Sequence, residues 1–148
     1  MRDCVIGLDF LHSNGVVHRD IKPLNIMLDE YGKAKFADFG ASVILEDREQ
    51  GDEFGDTSGT YHFLAPECCD TNVKTYSGTV ADIWALGITL YAFVYNQLPY
   101  GGETETEIIA SIINDTLVFP EHRKVTDGLK QLITHFLEKD PKKRIVMD

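Results

Sequence analysis

The chain has 148 residues, is 43% hydrophobic and carries a formal net charge of −10. That length suffices for one domain with a real core, and the composition is too apolar for a disordered chain. The negative field disfavours nucleic acid and anionic membrane as general partners, and without an uninterrupted run of about 18 apolar residues no membrane span is expected.

Residues 2–13 place Val5, Leu8, Phe10, Leu11 and His12 in a loose helical pattern that Asn14-Gly15 stops. No capping residue precedes it, so the helix reads as cut rather than begun. The opening residues lack the apolar run of a signal peptide. Residues 26–28 and 35–37 predict two short strands around the turn at 29–32. From 38 to 67 the chain is polar and Gly-rich, with acids at Glu46, Asp47, Glu49, Asp52, Glu53 and Asp56. A loop of that length is usually functional or disordered. Residues 79–95 are apolar on nearly all sides around Asp82, the pattern of a core helix. Leu98-Pro99-Tyr100-Gly101-Gly102 breaks the chain, and 105–114 and 127–138 predict two amphipathic helices. Lys139-Asp140-Pro141 ends the second. Cys4, Cys68 and Cys69 lack metal-type spacing, and neighbouring cysteines rarely bridge, so reduced thiols of a cytoplasmic protein are expected.

The most informative stretch is Val17-His18-Arg19-Asp20-Ile21-Lys22-Pro23-Leu24-Asn25, which puts a carboxylate, an ammonium and an amide on one short loop. Asp38-Phe39-Gly40 and Ala65-Pro66-Glu67 come later in the chain, in that order. Together these resemble the catalytic loop, the metal-binding turn and the end of the activation segment of eukaryotic protein kinases. Lys22 and Thr60 resemble the serine/threonine type. Residues 75–78, 81–91, 98–100 and 141–146 are similar to calcium/calmodulin-dependent protein kinase kinases.

The resemblance implies a fold that is mainly α with short β-hairpin strands: the C-terminal lobe of the kinase-like α+β fold, with the N-terminal lobe absent. Residues 1–148 would be a partial kinase domain, with catalytic loop 16–25, activation segment 38–67 and helical subdomain 68–148. It implies ATP and Mg²⁺ as cofactors and a protein substrate, in that family the activation loop of another kinase. Asp20 would be the catalytic base and Lys22 would stabilise the transferring phosphoryl group. Asn25 and Asp38 would hold the metal, and Met27 would lie below the adenine ring. Thr60 would bridge Asp20 and Lys22. His18 and Phe39 would pack in the core, and Gly40 would permit a backbone conformation that other residues resist. Glu67 and Arg144 would form a buried ion pair, and Asp82 would take donors from the backbone around His18-Arg19.

In such kinases the arginine before the catalytic aspartate binds an activation-segment phosphate. Here the usual acceptor position is Asp56, and Val43 replaces a second basic residue. Either Asp56 gives Arg19 a fixed negative charge and phosphorylation is not required, or Asp56 is one more solvated acid. Thr57 and Ser58 remain candidate acceptors. Leu24 replaces the usual small, polar or acidic residue, which bears on substrate preference.

No G-x-G-x-x-G loop and no V-A-I-K strand lysine occurs in the 148 residues. The chain alone is therefore expected to be inactive, with an apolar patch where a second lobe would pack. Calmodulin control, if present, would lie outside it. The alternative is a binding module that presents the groove around residues 105–114 to protein partners.

Overall fold

The computed structural model describes residues 1–45 and 51–147. The loop acids Glu46, Asp47 and Glu49 lie outside the described residues.

The centre of the molecule is the helix at Gly78–Tyr95 (α3), in which Trp84, Leu86 and Ile88 are fully buried. It begins where Ser77 caps it, the Ser77 hydroxyl accepting from the Val80 amide at 3.3 Å. It ends where Asn96 turns left-handed at φ 54°. By length and composition α3 is apolar enough to cross a bilayer, with 18 residues at mean hydropathy 1.3. The segment is not an uninterrupted apolar run, since Thr79, Asp82 and Thr89 lie within it. Two observations make it a core helix instead: 67% of it is buried inside the protein, and it carries Asp82 with its carboxylate bonded to three donors.

Other helices pack around it. Arg2–Ser13 (α1) has the expected bounds and no side-chain cap at its start, and it buries Cys4 and Leu8. Glu105–Asn114 (α4) also has the expected bounds, set by a capping box between Thr104 and Glu107. Asp127–Phe136 (α5) is two residues shorter than expected. Leu137 leaves helical geometry, and the chain curls so that the Arg144 Nε donates to the Glu138 carbonyl at 2.9 Å. α5 approaches α3 at Gly87, where a Cβ would lie 2.6 Å from that of Phe136. The short helix Pro66–Cys69 (α2) leads toward α3.

The strands are short and paired in antiparallel twos. Val16–Val17 (β1) pairs with Val43–Ile44 (β4), Ile26–Leu28 (β2) with Ala34–Phe36 (β3), and Glu53–Phe54 (β5) with Tyr76–Ser77 (β6). Only the β2–β3 hairpin is expected from the sequence, with its second strand one residue later. The long loop is therefore pinned at two places: β4 ties it to the strand that leads into residues 18–25, and β5 to the start of α3.

Apolar side chains are open to solvent on α1 (Ile6 and Phe10), on the hairpin (Met27 and Leu28) and just past it (Phe39).

Candidate active site

The turn between β1 and β2 holds the expected reactive groups. Arg19 is left-handed there, at φ 67°, a conformation that costs a non-glycine residue on the order of 1–3 kcal/mol. Asp82 holds it: Oδ2 accepts from the His18 amide at 2.8 Å and Oδ1 from the Arg19 amide at 2.9 Å. Charge-assisted bonds of this kind offset the strain. The His12 Nε2 lies 3.0 Å from the same carboxylate. In sequence His12 is only one member of a helical pattern. Its four-residue distance from Leu8, which is fully buried, is the signal that it faces inward.

Asp20, Lys22, Asn25 and Thr60 converge. The Lys22 Nζ lies 2.8 Å from Asp20 Oδ2 and donates to Thr60 Oγ1 at 2.8 Å. Thr60 donates to Asp20 Oδ1 at 3.0 Å, so its hydroxyl bridges the two charges. The Asn25 Nδ2 donates to the Asp20 carbonyl at 2.8 Å and to Oδ2 at 3.0 Å. Burial alone would raise the Asp20 carboxyl. Lys22, Thr60 and Asn25 outweigh it and hold it below the usual carboxylate range. The group stays ionised, which suits it to orient a hydroxyl. Gly59 lets Thr60 come this close: at φ 112°, a Cβ there would sit 2.7 Å from the Arg19 carbonyl oxygen. Gly59 is not among the expected site residues.

Both hydrogens of the Asn25 amide are committed to Asp20, so its oxygen is the end left for a ligand. The Ala37 amide donates to the Asn25 carbonyl at 2.9 Å, which brings the adjacent residue, Asp38, alongside. Asp38 is exposed and left-handed at φ 58°, with Oδ1 accepting from the Gly40 amide at 3.2 Å. One carboxylate and one amide oxygen fit Mg²⁺, which keeps few protein ligands and takes phosphate oxygens for the rest. Among the described residues, no group of three His, Cys, Asp or Glu could hold a metal unaided.

Two structural expectations are corrected here. Gly40 is not in the left-handed region; the strained residue of the turn is Asp38 itself, and a Cβ on Gly40 would meet only Asp38 Oδ1 at 3.2 Å. Phe39 is half-exposed rather than core, its ring centroid 5.0 Å from that of His18. His18 is fully buried, with Nε2 3.2 Å from the Ala37 carbonyl. Met27 is exposed on β2, opposite Lys35.

Around this centre, Arg19 Nη2 donates to Asp56 Oδ2 at 2.6 Å. Thr57 is exposed and donates to the Cys68 carbonyl at 3.2 Å. Val43 pairs with Val17 in the β1–β4 ladder. Arg144 and Glu67 form a two-pronged buried pair at 2.6 and 2.9 Å. All three cysteines are free, and burial pushes the thiols up, to about 12 for Cys68 and about 11 for Cys69.

The family model described as the protein kinase domain matches residues 1–148. The chain is similar to a calcium/calmodulin-dependent protein kinase kinase of Caenorhabditis elegans, 42% identical over 147 residues that cover 99% of this chain and 27% of that protein. It is 38% identical to the serine/threonine-protein kinase GRIK2 of Arabidopsis thaliana, covering 99% of this chain and 35% of that protein. It is 35% identical to the serine/threonine-protein kinase ssp1 of Schizosaccharomyces pombe, covering 99% and 23%. The chain thus spans between about a quarter and a third of the length of these relatives.

Proposed function

The chain belongs to the protein kinase domain family, and from that premise we propose that it is the C-terminal lobe of a serine/threonine protein kinase. The reaction is transfer of the ATP γ-phosphate to a protein serine or threonine. The observation that carries this reading is the closed set of Asp20, Lys22, Thr60 and Asn25. A scaffold has no chemical need for it.

In this reading Asp20 exchanges its Thr60 contact for the incoming hydroxyl and aligns that oxygen with the phosphorus. Lys22, tied to Asp20, faces the negative charge that develops on the transferred group. Asn25 and Asp38 would hold Mg²⁺, and Met27 would meet the nucleotide base from β2. The bound metal would neutralise phosphate charge. Protein substrates of the kinase-kinase type are supported by the similarity to the Caenorhabditis elegans protein, whose name also raises calmodulin control. A cytoplasmic location is supported by three free cysteines. The exposed apolar side chains Ile6, Phe10, Met27 and Leu28 support the lobe reading, and with it the inactivity of these 148 residues alone. The Arg19–Asp56 pair supports activity without added phosphate.

The test is phosphotransfer from ATP to a serine/threonine protein by the entire reading frame that contains this chain. Asp20→Ala should lower kcat by about 10²- to 10⁴-fold in a folded protein. The double change Thr57→Ala with Ser58→Ala should leave activity in place, and abolished activity would sink the phosphate-independent reading. Saturable turnover by residues 1–148 alone would overturn the lobe reading. A complete frame with no transfer would leave the binding module.

A further inference from the structure

In sequence, Asp52 is one acid among several in a polar loop. In the structure it is half-buried and bonded at both its side chain and its backbone. Its Oδ2 accepts from the Ser77 hydroxyl at 2.7 Å, the Thr79 amide at 2.8 Å and the Thr79 hydroxyl at 2.5 Å. Its backbone carbonyl accepts from the Gly78 amide at 2.9 Å. These donors form the first turn of α3, where a negative charge is favoured by the helix dipole. The Ser77 hydroxyl is also the cap of α3, so Asp52 completes the cap that starts the core helix.

The residues just past Asp52 surround Arg19. Residues 53 and 54 form β5 against β6. The Phe54 ring lies 4.6 Å from the Arg19 guanidinium carbon and packs so closely on Gly78 that a Cβ there would stand 2.4 Å from it. The Tyr76 phenol donates to the Asp56 carbonyl at 2.7 Å, and the Asp56 carboxylate takes Arg19. Among the described residues, the buried Nε of Arg19 has no acceptor of its own, so the guanidinium depends on these neighbours. Arg19 in turn is bonded directly to Asp20 along the chain.

We propose that Asp52 is a positioning residue: it clasps the loop to the first turn of α3 and thereby sets Phe54 and Asp56 around Arg19, within the catalytic turn. The loop is then ordered by carboxylates of the chain itself, with α3 as common anchor. Asp52 fixes the loop from the start of the helix, and Asp82 fixes the turn from one helical turn further on. The inference rests on the reading of residues 38–67 as an activation segment for its functional meaning. Its test reads conformation alone, so a failure of the phosphotransfer reading is seen separately.

The experiment is amide hydrogen exchange of the protein encoded by the entire reading frame that contains this chain, with the Arg19 Nε–H followed by NMR, on Asp52→Ala, Asp56→Ala and the double variant. Asp52→Ala should speed exchange at residues 53–56 about tenfold and shift the Arg19 Nε–H resonance as the Phe54 ring leaves the guanidinium. The His18 and Arg19 amides, held by Asp82, should stay protected. Asp56→Ala should expose Arg19 in the parent chain and add less than about twofold in the Asp52→Ala background, because the two act in series. Thr79→Val removes one clasp hydroxyl while keeping the carboxylate, and should give the same pattern at smaller size; it decides the matter if Asp52→Ala does not fold. Unchanged exchange at 53–56, uniform loosening that includes His18, or full additivity of the two variants would overturn the proposal.

Discussion

Two arginines of this molecule meet a carboxylate at the same distance and do different work. Arg144 reaches Glu67 at 2.6 Å with side-chain exposures of 0% and 6%. Arg19 reaches Asp56 at 2.6 Å with exposures of 11% and 66%. In the first pair both charges have left water, and each is stranded if the other is removed. Arg144 also donates to the carbonyls of Val80 and Glu138 and lies over the Trp84 ring, so it ties α2, α3 and the C-terminal run together. In the second pair the arginine is enclosed while the carboxylate remains in solvent. Distance is thus a poor guide to what a pair contributes; the exposure of the weaker-held partner decides. The buried pair is a lock, and the half-open one is a latch that the loop can leave.

The widest gap between the two is expected on truncation. Glu67→Ala or Arg144→Ala should cost about 3–5 kcal/mol in denaturant unfolding, because a buried charge is left unpaired. Arg144→Lys should recover little of it, since a single ammonium cannot make the two-pronged contact with Glu67 and also reach Val80 and Glu138. A loss under about 1 kcal/mol would put both pairs in one class and dissolve the contrast. Next in size is a packing change far from either pair. Gly87→Ala would place a Cβ 2.6 Å from that of Phe136 and 2.9 Å from Leu137, prising α5 from α3. A cost of about 1–3 kcal/mol is expected, since the Phe136 Cβ is fixed to its backbone and yields little. An unfolding midpoint equal to the parent's would mean that α5 gives way freely.

How far these contacts are legible in sequence depends on the range of the signal. α1 and α4 can be bounded because their caps and stops are local: Asn14-Gly15 for one, Thr104 with Glu107 for the other. The contacts of Glu67 with Arg144, of Asp82 with the His18-Arg19 backbone and of Arg19 with Asp56 are reached through motif resemblance, and the structure places these residues together. β1, β4, β5 and β6 cannot be read, since two residues carry no periodicity. The left-handed turns at Arg19 and Asp38 are invisible because neither is a glycine; sequence reasoning assigns the strain to Gly40, two residues from Asp38. Asp52 is hidden for another reason. A half-buried acid and a solvated one look alike in sequence when the donors that bury it, Ser77 and Thr79, lie some 25 residues further on.

The smallest effect belongs to the latch itself. Asp56→Ala should lower stability by less than about 1 kcal/mol, and added salt should shrink the difference further. Its pH dependence has a fixed sign. The Arg19 bond holds the Asp56 carboxyl below its ordinary value of 3.8, despite the small opposing effect of burial. A group depressed in the folded state gives its full stabilisation above its unfolded value and loses it as pH falls through the folded one. The parent and the Asp56→Ala variant should therefore differ at neutral pH and converge in acid, below about pH 4. Asp20 and Asp52 are depressed in the same direction, so the parent should also loosen there. The comparison must then be made as a difference between the two proteins, not read from either alone. Curves that stay parallel down to low pH would mean that Asp56 is a solvated acid after all, and that Arg19 is held by Phe54 and the clasp without it.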